Sequence, residues 1–305
     1  MHCVFAPATR RRTIQVVVTA VVIVATIGLT GCRASRAGRA CSGGFARDAT
    51  HVLVCEAGRW ARLGTFRDVL LAARQAQLPR VVLIGDSIAI SLGDALGNAL
   101  RPRGVKYDHR TYPCGVVEGD TADPSGIPWE QTRACAPAIP RVQNEAVTEL
   151  TPDLVIVLSS WEMNDRVLDG AWFPYSSPEA DTVLLDLYRQ MTDRLTTSGA
   201  RIVLLTVPDH VGSALQPAQA DRTARTRHLN YLLAEVARRD PNRVSLVRMD
   251  DIVCPSDPCP EVVDGLGLRS QDGVHFNGPA EAGYVASRLV DRILAVPFGN
   301  GQRLR

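Results

Sequence analysis

Runs of like charge and basic patches are missing from this chain. Its 34 Lys and Arg residues face 32 Asp and Glu residues over 305 positions, and lysine occurs only once, at Lys106. A protein that binds nucleic acid through its phosphates usually carries a basic patch or stripe, so nucleic acid is not an expected partner. Internal repeats, low-complexity tracts and long charged tails are missing from the sequence as well, so no part of its composition predicts a disordered interaction tail.

Residues 1–31 have the pattern of a targeting segment. Three arginines, Arg10–Arg12, precede seventeen uncharged residues, Thr13–Leu29. The segment runs into Leu29-Thr30-Gly31-Cys32, which resembles the lipobox of bacterial lipoproteins, where cleavage leaves a lipid-bearing cysteine at the new amino terminus. An uncleaved membrane anchor is the alternative, because seventeen residues are near the shortest possible span. We expect lipidation of Cys32, a linker over residues 32–40, and a body held at the membrane outside the cytoplasm.

The cysteines favour the same compartment. The chain has eight, and six remain when Cys3 and Cys32 are set aside. An even number of cysteines in an exported chain predicts disulfides. The economical pairing is local: Cys41–Cys55, Cys114–Cys135 and Cys254–Cys259. A zinc site is the alternative, but a Cys-x-x-Cys motif with matching histidines is missing.

Two regions follow the linker. In residues 41–78, His51–Cys55 and Arg59–Leu63 are predicted to pair as a disulfide-closed hairpin, and Phe66–Gln77 is predicted to be a helix. This region is too small to hold a core alone. Residues 79–298 have the length of one domain.

The stretch from Arg80 to Leu100 predicts a strand, a sharp turn and a helix. Val81–Ile84 is a run of four apolar residues, typical of a strand buried on both faces. Gly85-Asp86-Ser87 interrupts it, and leucine or isoleucine then recurs every four residues, which predicts a helix. Ser87 therefore lies at the carboxyl end of a strand, where open α/β sheets bind their ligands. The alternative is that Ser87 only caps the helix.

Apolar runs and helical patterns alternate in the rest of the chain. The runs are Val105–His109, Leu154–Leu158, Arg201–Val207 and Val244–Val247, and the helical patterns are Thr182–Thr197, Thr223–Arg239 and Pro279–Leu294. This alternation predicts an α/β fold with a doubly wound parallel sheet. Residues 113–140 show little periodicity and are expected to be a loop over the active edge of the sheet.

Asp272-Gly-Val-His275 lies in a loop before the last helical pattern. A spacing of three residues lets the carboxylate of Asp272 reach Nδ1 of His275 and fix its tautomer, which leaves Nε2 as a base. With Ser87 as nucleophile, the three residues predict a catalytic triad. Another histidine, His210, is expected to be a solvated loop residue, with a substrate contact as the alternative.

Gly85-Asp86-Ser87, Asn164 and Asp272-x-x-His275 resemble the motifs of the SGNH/GDSL hydrolase superfamily, and the resemblance runs from about Arg80 to Leu294. Details of the sequence resemble SGNH domains of actinobacterial cell-envelope proteins more closely. The resemblance implies a flavodoxin-like three-layer α/β/α fold and ester cleavage by Ser87, His275 and Asp272. It also implies an oxyanion hole built from the serine N–H, a glycine N–H and an asparagine side chain.

The oxyanion hole departs from the family pattern. The family's glycine after the third strand reads Ser160, and counting along the strand puts Glu162 where asparagine is expected. An ionised carboxylate donates no hydrogen bond, so we assign the side chain to Asn164, with Glu162 turned toward Arg166 or the Trp161 loop. Gly115 is the candidate glycine, and a simple turn glycine beside a disulfide is the alternative.

We therefore predict a serine esterase or deacylase of the cell envelope, a monomer that acts on acylated carbohydrate or lipid and needs no cofactor and no metal. An O-acyltransferase and a binding lipoprotein without catalysis are alternatives. A metal phosphodiesterase is a further one, with the set Asp86, Asp209, His210, Asp272 and His275.

Overall fold

The structure is a computed structural model that describes residues 37–42, 45–47, 50–65, 67–69, 78–210 and 220–299. The predicted leader, Cys32 and most of the predicted helix 66–77 lie outside these residues. Within the described ranges, no helix combines the length and the apolar composition needed to cross a bilayer. The chain forms two compact units, the first ending at Leu78 and the second starting at Pro79.

The first unit contains a three-stranded antiparallel sheet. Its strands, in spatial order, are β1 (Phe45–Arg47), β2 (His51–Glu56) and β3 (Arg59–Thr65). Ala57 and Gly58 join β2 to β3 with φ values of 47° and 75°, the left-handed conformation that a two-residue hairpin turn requires. The predicted Cys41–Cys55 disulfide is confirmed, with 5.8 Å between the Cα atoms.

The second unit is built on a five-stranded parallel sheet. The strands of the unit include those of this sheet and three of a smaller one. In chain order they are β4 (Arg80–Gly85), β5 (Lys106–Thr111), β6 (Asp120–Ala122), β7 (Leu154–Leu158), β8 (Asp165–Leu168), β9 (Ala171–Phe173), β10 (Arg201–Leu205) and β11 (Val244–Val247). The main sheet has the order β11-β10-β7-β4-β5, which is the flavodoxin-like order. Every residue of β7 is buried, as a continuous apolar run predicts for a strand covered on both faces.

Helices cover both faces of this sheet. They are α1 (Ser87–Leu100), α2 (Glu130–Cys135), α3 (Ile139–Leu150), α4 (Pro178–Leu195), α5 (Ala220–Arg239), α6 (Asp250–Val253) and α7 (Pro279–Leu294). Helix α1 packs against α7, whereas α4 packs against both α3 and α5. Right-handed crossovers place these two groups on opposite faces. The predicted three-layer α/β/α fold is therefore confirmed.

The topology creates a crevice at the carboxyl ends of β4 and β7. The chain leaves β4 toward β5 and then returns to β7 on the other side of β4. At the crevice Gly85, the last residue of β4, pairs with Leu158, the last residue of β7. Open α/β sheets bind their ligands at such a switch point.

The prediction of a loop over residues 113–140 is wrong in part. This segment contains β6 and α2, and β6 pairs with β8 in a small sheet that β9 completes. Strands β6 and β9 have three residues each and β8 has four. Runs this short show no readable periodicity, and the partners of β6 come more than forty residues later in the chain. The sheet is thus fixed by long-range pairing.

Candidate active site

Gly85 ends β4 at a point with no room for a side chain. A Cβ there would lie 1.9 Å from the Leu158 carbonyl oxygen and 2.5 Å from Cβ of Ala89. The residue next to it, Asp86, donates its N–H to the same Leu158 oxygen at 3.2 Å. Glycine therefore allows β4, β7 and the first turn of α1 to meet at one place.

Asp86 caps α1 and joins it to the end of β7. Its Oδ1 accepts from the Ile88 N–H at 2.9 Å, and its Oδ2 accepts from the N–H and the hydroxyl of Ser160 at 2.7 and 3.1 Å. The interpretation of Ser87 as a helix cap is wrong, because Asp86 holds that position. Complete burial of Asp86 raises the pKa of its carboxyl to about 6, against the lowering effect of these hydrogen bonds.

Ser87, His275 and Asp272 form one hydrogen-bonded chain. Ser87 Oγ lies 2.7 Å from His275 Nε2, and His275 Nδ1 lies 2.6 Å from Asp272 Oδ2. An ionised carboxylate only accepts hydrogen bonds, so Nδ1 carries the imidazole proton and Nε2 accepts from the serine hydroxyl. The structure thus brings together the three residues that the sequence predicts as a triad.

The loop that carries His275 is folded around the carboxylate of Asp272. Oδ1 of Asp272 accepts from the Ser270 hydroxyl at 2.7 Å and from the N–H groups of Val274 and His275 at 2.8 and 3.0 Å. Gly273 has a φ of 71°, a conformation that favours glycine. Burial alone would raise the pKa of Asp272, but the hydrogen bonds from His275, Ser270 and the backbone hold this pKa below its usual value. The carboxylate is therefore ionised at neutral pH.

Arg269 ties this loop to the end of β10. Its Nη1 donates to the Val274 carbonyl at 2.5 Å and its Nη2 to the Asp209 carbonyl at 2.9 Å. The expectation that His210 is solvated is wrong, because both of its ring nitrogens are buried, and neither has a hydrogen-bond partner among the residues that the structure describes. Burial, assisted by the positive charge of Arg269, lowers the pKa of His210 to about 3. The ring is neutral at neutral pH, and a contact with substrate stays a prediction.

Gly115 follows a segment that is bonded to the end of β4. The Tyr112 N–H donates to the Gly85 carbonyl at 3.0 Å, which brings the chain after β5 to this edge. Gly115 has no positive φ, so the turn itself does not require glycine. A Cβ at this position would instead lie 2.2 Å from Oε1 of Glu162. Gly115 is glycine because the Glu162 carboxylate occupies the space beside it.

Glu162 and Asn164 have different hydrogen-bond partners. Oε1 of Glu162 accepts from the Val116 and Val117 N–H groups at 2.6 and 3.4 Å. The Asn164 amide donates to the Trp161 carbonyl at 3.0 Å, and its side chain lines a cavity of about 10 Å³. Among the described contacts, none joins the Asn164 side chain to Ser87 or Gly115. The structure thus brings Glu162, and not Asn164, to the position beside Gly115.

The other predicted site residues are the disulfide cysteines and the metal-binding set of the phosphodiesterase alternative. Cys254 and Cys259 form the predicted disulfide, and Cys114 is disulfide-bonded, while the side chain of Cys135 lies outside the described residues. Within the described ranges, no group of three or more His, Cys, Asp or Glu residues is arranged to hold a metal ion. The Asp86 carboxylate of the phosphodiesterase set is turned toward Ser160, away from solvent.

Sequence reasoning missed the supporting contacts of Arg269, Ser270 and Glu162. Arg269 and Ser270 lie within six residues of His275, so their closeness to the loop was readable but their partners were not. Glu162 bonds to residues 45 and 46 positions earlier. The one signal for Glu162 in the sequence was its position, which counting along the strand places where the family carries asparagine.

Comparison with known proteins finds a matching family model and several solved structures that are similar to this chain. A family model described as SGNH domain (fused to AT3 domains) matches residues 55–282, and no curated protein matches the chain. The periplasmic domain of a Salmonella ser. Paratyphi A lipopolysaccharide acetyltransferase has a similar structure, with 12% identity, a TM-score of 0.50, and coverage of 74% of this chain and 88% of that one.

Two further solved structures are similar at lower scores. A GDSL-like lipase from Bacteroides thetaiotaomicron has 14% identity, a TM-score of 0.45, and coverage of 73% and 94% of the two chains. The catalytic domain of a peptidoglycan O-acetyltransferase from Streptococcus pneumoniae has 16% identity, a TM-score of 0.42, and coverage of 71% and 93%. The family model spans well over half of the sequence, and the chain belongs to the SGNH domain family of the SGNH/GDSL hydrolase superfamily.

Proposed function

We propose that this protein is a serine esterase or deacylase of the cell envelope that hydrolyses acyl esters on carbohydrate or lipid. The hydrogen-bonded chain from Ser87 through His275 to Asp272, with links of 2.7 and 2.6 Å, carries this proposal. These two contacts supply the pairing that nucleophilic attack requires, with a base beside the serine hydroxyl and a carboxylate that orients the base.

The reaction proceeds through an acyl-enzyme. Ser87 Oγ attacks the acyl carbonyl carbon while His275 Nε2 takes the hydroxyl proton, and Asp272 stabilises the resulting imidazolium. The imidazolium then protonates the leaving alcohol as the ester C–O bond breaks. Water attacks the acyl-serine, His275 again takes a proton, and the carboxylic acid leaves with Ser87 restored.

The developing oxyanion needs hydrogen-bond donors, and backbone N–H groups are available for this role. Ser87 is the first residue of α1, so its N–H has no acceptor within the helix. Among the described residues, no acceptor bonds the Gly115 N–H either. These two N–H groups, with the positive end of the α1 dipole, are the proposed oxyanion hole.

Acyl transfer is the second candidate, and the comparisons favour it. The matching family model describes domains fused to AT3 domains, and one structural relative is the periplasmic domain of a lipopolysaccharide acetyltransferase. The same acyl-serine would then pass its acyl group to a sugar hydroxyl in place of water. The disulfides support an oxidising compartment, and the proposed anchor is the lipid on Cys32.

The test is covalent labelling followed by discharge. A fluorophosphonate should add one adduct to the wild-type protein on Ser87 and none to Ser87→Ala, while both proteins show the same circular dichroism. An acyl group loaded from an activated ester should leave into water for a hydrolase and onto an added sugar for a transferase. Absence of labelling on folded wild-type protein would contradict both reactions and favour a binding lipoprotein.

A further inference from the structure

The loop that follows Gly115 is held by buried polar side chains. Oε1 of Glu162 accepts from the Val116 N–H at 2.6 Å and from the Val117 N–H at 3.4 Å. On the other side, Nε2 of Gln143 donates to the Val116 carbonyl at 2.7 Å. Both side chains are buried, with Glu162 at 1% and Gln143 at 0% exposure. The Val116–Val117 peptide group is therefore held at both its carbonyl and its N–H, and the Gly115–Val116 peptide group before it is held at its N–H.

Arginines fix the rest of the loop and the side chains that hold it. Nη1 of Arg166 donates to the Glu118 and Gly119 carbonyls at 2.8 and 2.9 Å. Nε of Arg194 donates to Oε1 of Gln143 at 3.0 Å, which sets the orientation of the Gln143 amide. A loop with this many hydrogen bonds to buried groups has little freedom to turn its peptide planes.

We propose that Glu162 is a positioning residue for the oxyanion hole, and this inference rests on the proposed function. Glu162 stands at the position where the family carries a donor side chain, but its carboxylate acts on the backbone of the loop and not on the substrate. By accepting from Val116 and Val117, it fixes the direction of the Gly115 N–H. It also fills the space beside Gly115, where a Cβ would lie 2.2 Å from Oε1.

A buried carboxylate near an oxyanion would repel it unless its charge were balanced. Nη2 of Arg166 lies 3.9 Å from Oε1 of Glu162, and both side chains are buried. The Val116 and Val117 N–H groups add two more positive dipole ends at the same oxygen. The arginine and the two N–H groups offset the negative charge of the Glu162 carboxylate.

Asn164 is the competing candidate, and its variant is matched to those of Glu162. It lines the same small cavity as Glu162 and Arg166, but its amide donates to the Trp161 carbonyl and makes no described bond to the loop of Gly115. Removing its side chain changes the cavity without releasing the loop.

The experiment compares Glu162→Ala, Glu162→Gln and Asn164→Ala with the wild type. The readouts are kcat and KM for 4-nitrophenyl acetate, and Ki for a boronic acid that forms a tetrahedral adduct on serine. We expect Glu162→Ala to lower kcat by roughly 10²-fold with KM within about threefold, the loss typical of one oxyanion-hole donor. Boronate Ki should rise by a similar factor. Glu162→Gln should recover activity to within about tenfold of wild type, because its amide oxygen still accepts from Val116.

We expect the loss from Glu162→Ala to exceed the loss from Asn164→Ala by at least about tenfold in both readouts. Wild-type kinetics for Glu162→Ala, or a 10²-fold loss confined to Asn164→Ala, would overturn the proposal while the proposed function stands. If Glu162→Ala does not fold, Glu162→Met takes its place, since it keeps the side-chain length without an acceptor. A folded wild-type protein that neither labels nor turns over would overturn both the proposed function and this inference.

Discussion

Asp272→Asn tests the tautomer argument at the centre of the proposed mechanism. Asp272 accepts four hydrogen bonds, three on Oδ1 and one, from His275 Nδ1, on Oδ2. Asparagine has one oxygen and one NH₂ group. The oxygen should take the Oδ1 position, where Ser270, Val274 and His275 supply their donors. The NH₂ group then faces His275 Nδ1, which must become an acceptor.

The imidazole proton moves to Nε2 as a result, and Nε2 no longer accepts the Ser87 proton. In a serine protease, the same change lowers kcat by about 10⁴-fold, which corresponds to roughly 5 kcal/mol of transition-state stabilisation. We expect a loss of this order for kcat on 4-nitrophenyl acetate, with KM nearly unchanged because no substrate contact is removed. Fluorophosphonate labelling of Ser87 should slow in parallel.

Ser270→Ala is the control, since it removes the 2.7 Å hydrogen bond to Oδ1 and leaves the carboxylate facing His275. We expect it to cost no more than roughly 10²-fold in kcat, well short of the loss in Asp272→Asn, because a hydrogen bond to an ionised group is worth about 1.5–3 kcal/mol. Circular dichroism and thermal unfolding should show that both variants are folded. Activity of Asp272→Asn within about tenfold of wild type would refute the assignment of the imidazole proton.

Three other predictions concern the anchor, the disulfides and the pH dependence of stability. Cys32→Ala should move the protein out of the membrane fraction or leave it unprocessed, as immunoblots of cell fractions would show; unchanged processing and retention would contradict the lipobox interpretation. Non-reducing peptide mapping should show Cys114 linked to Cys135, and a free thiol on Cys135 or a crossed pair would contradict the local pairing. The raised pKa of Asp86, about 6 in the folded protein, contributes stability that is complete below pH about 4 and is lost as the pH rises through about 6. Denaturant unfolding across this range should show that decline in the wild type and not in Asp86→Asn, and equal slopes would contradict it.

The sequence was most informative where one segment decides its own structure. Val81–Ile84 and Leu154–Leu158 are continuous apolar runs, and a strand buried on both faces is what such runs form. The four-residue spacing of Ile88, Leu92, Leu96 and Leu100 likewise fixed the buried face of α1. Asp272 and His275 could be paired from the sequence because they are three positions apart.

Contacts between distant segments could not be predicted in this way. Asp86 caps α1 through a local bond from the Ile88 N–H, but it also accepts from Ser160, which lies 74 residues later in the chain. The choice between Glu162 and Asn164 depends on where the loop after Gly115 places its N–H groups, 45 and 46 residues earlier. Strand counting points to Glu162, whereas the chemistry of an ionised carboxylate favours Asn164. That argument treats the Glu162 carboxylate as a partner of substrate, whereas its partners in the structure are the Val116 and Val117 N–H groups.

The span of the hydrogen bonds at Ser87 and Asp86 has a consequence for the order of folding. Ser87 and His275 are 188 residues apart, and Asp86 and Ser160 are 74 apart. Contacts between such distant segments close late, because a long loop must be ordered before they form. Helical signal in a refolding chain should therefore return before any esterase turnover. The onset of product formation would then report when the carboxyl-terminal segment that carries His275 packs against a sheet that has already assembled.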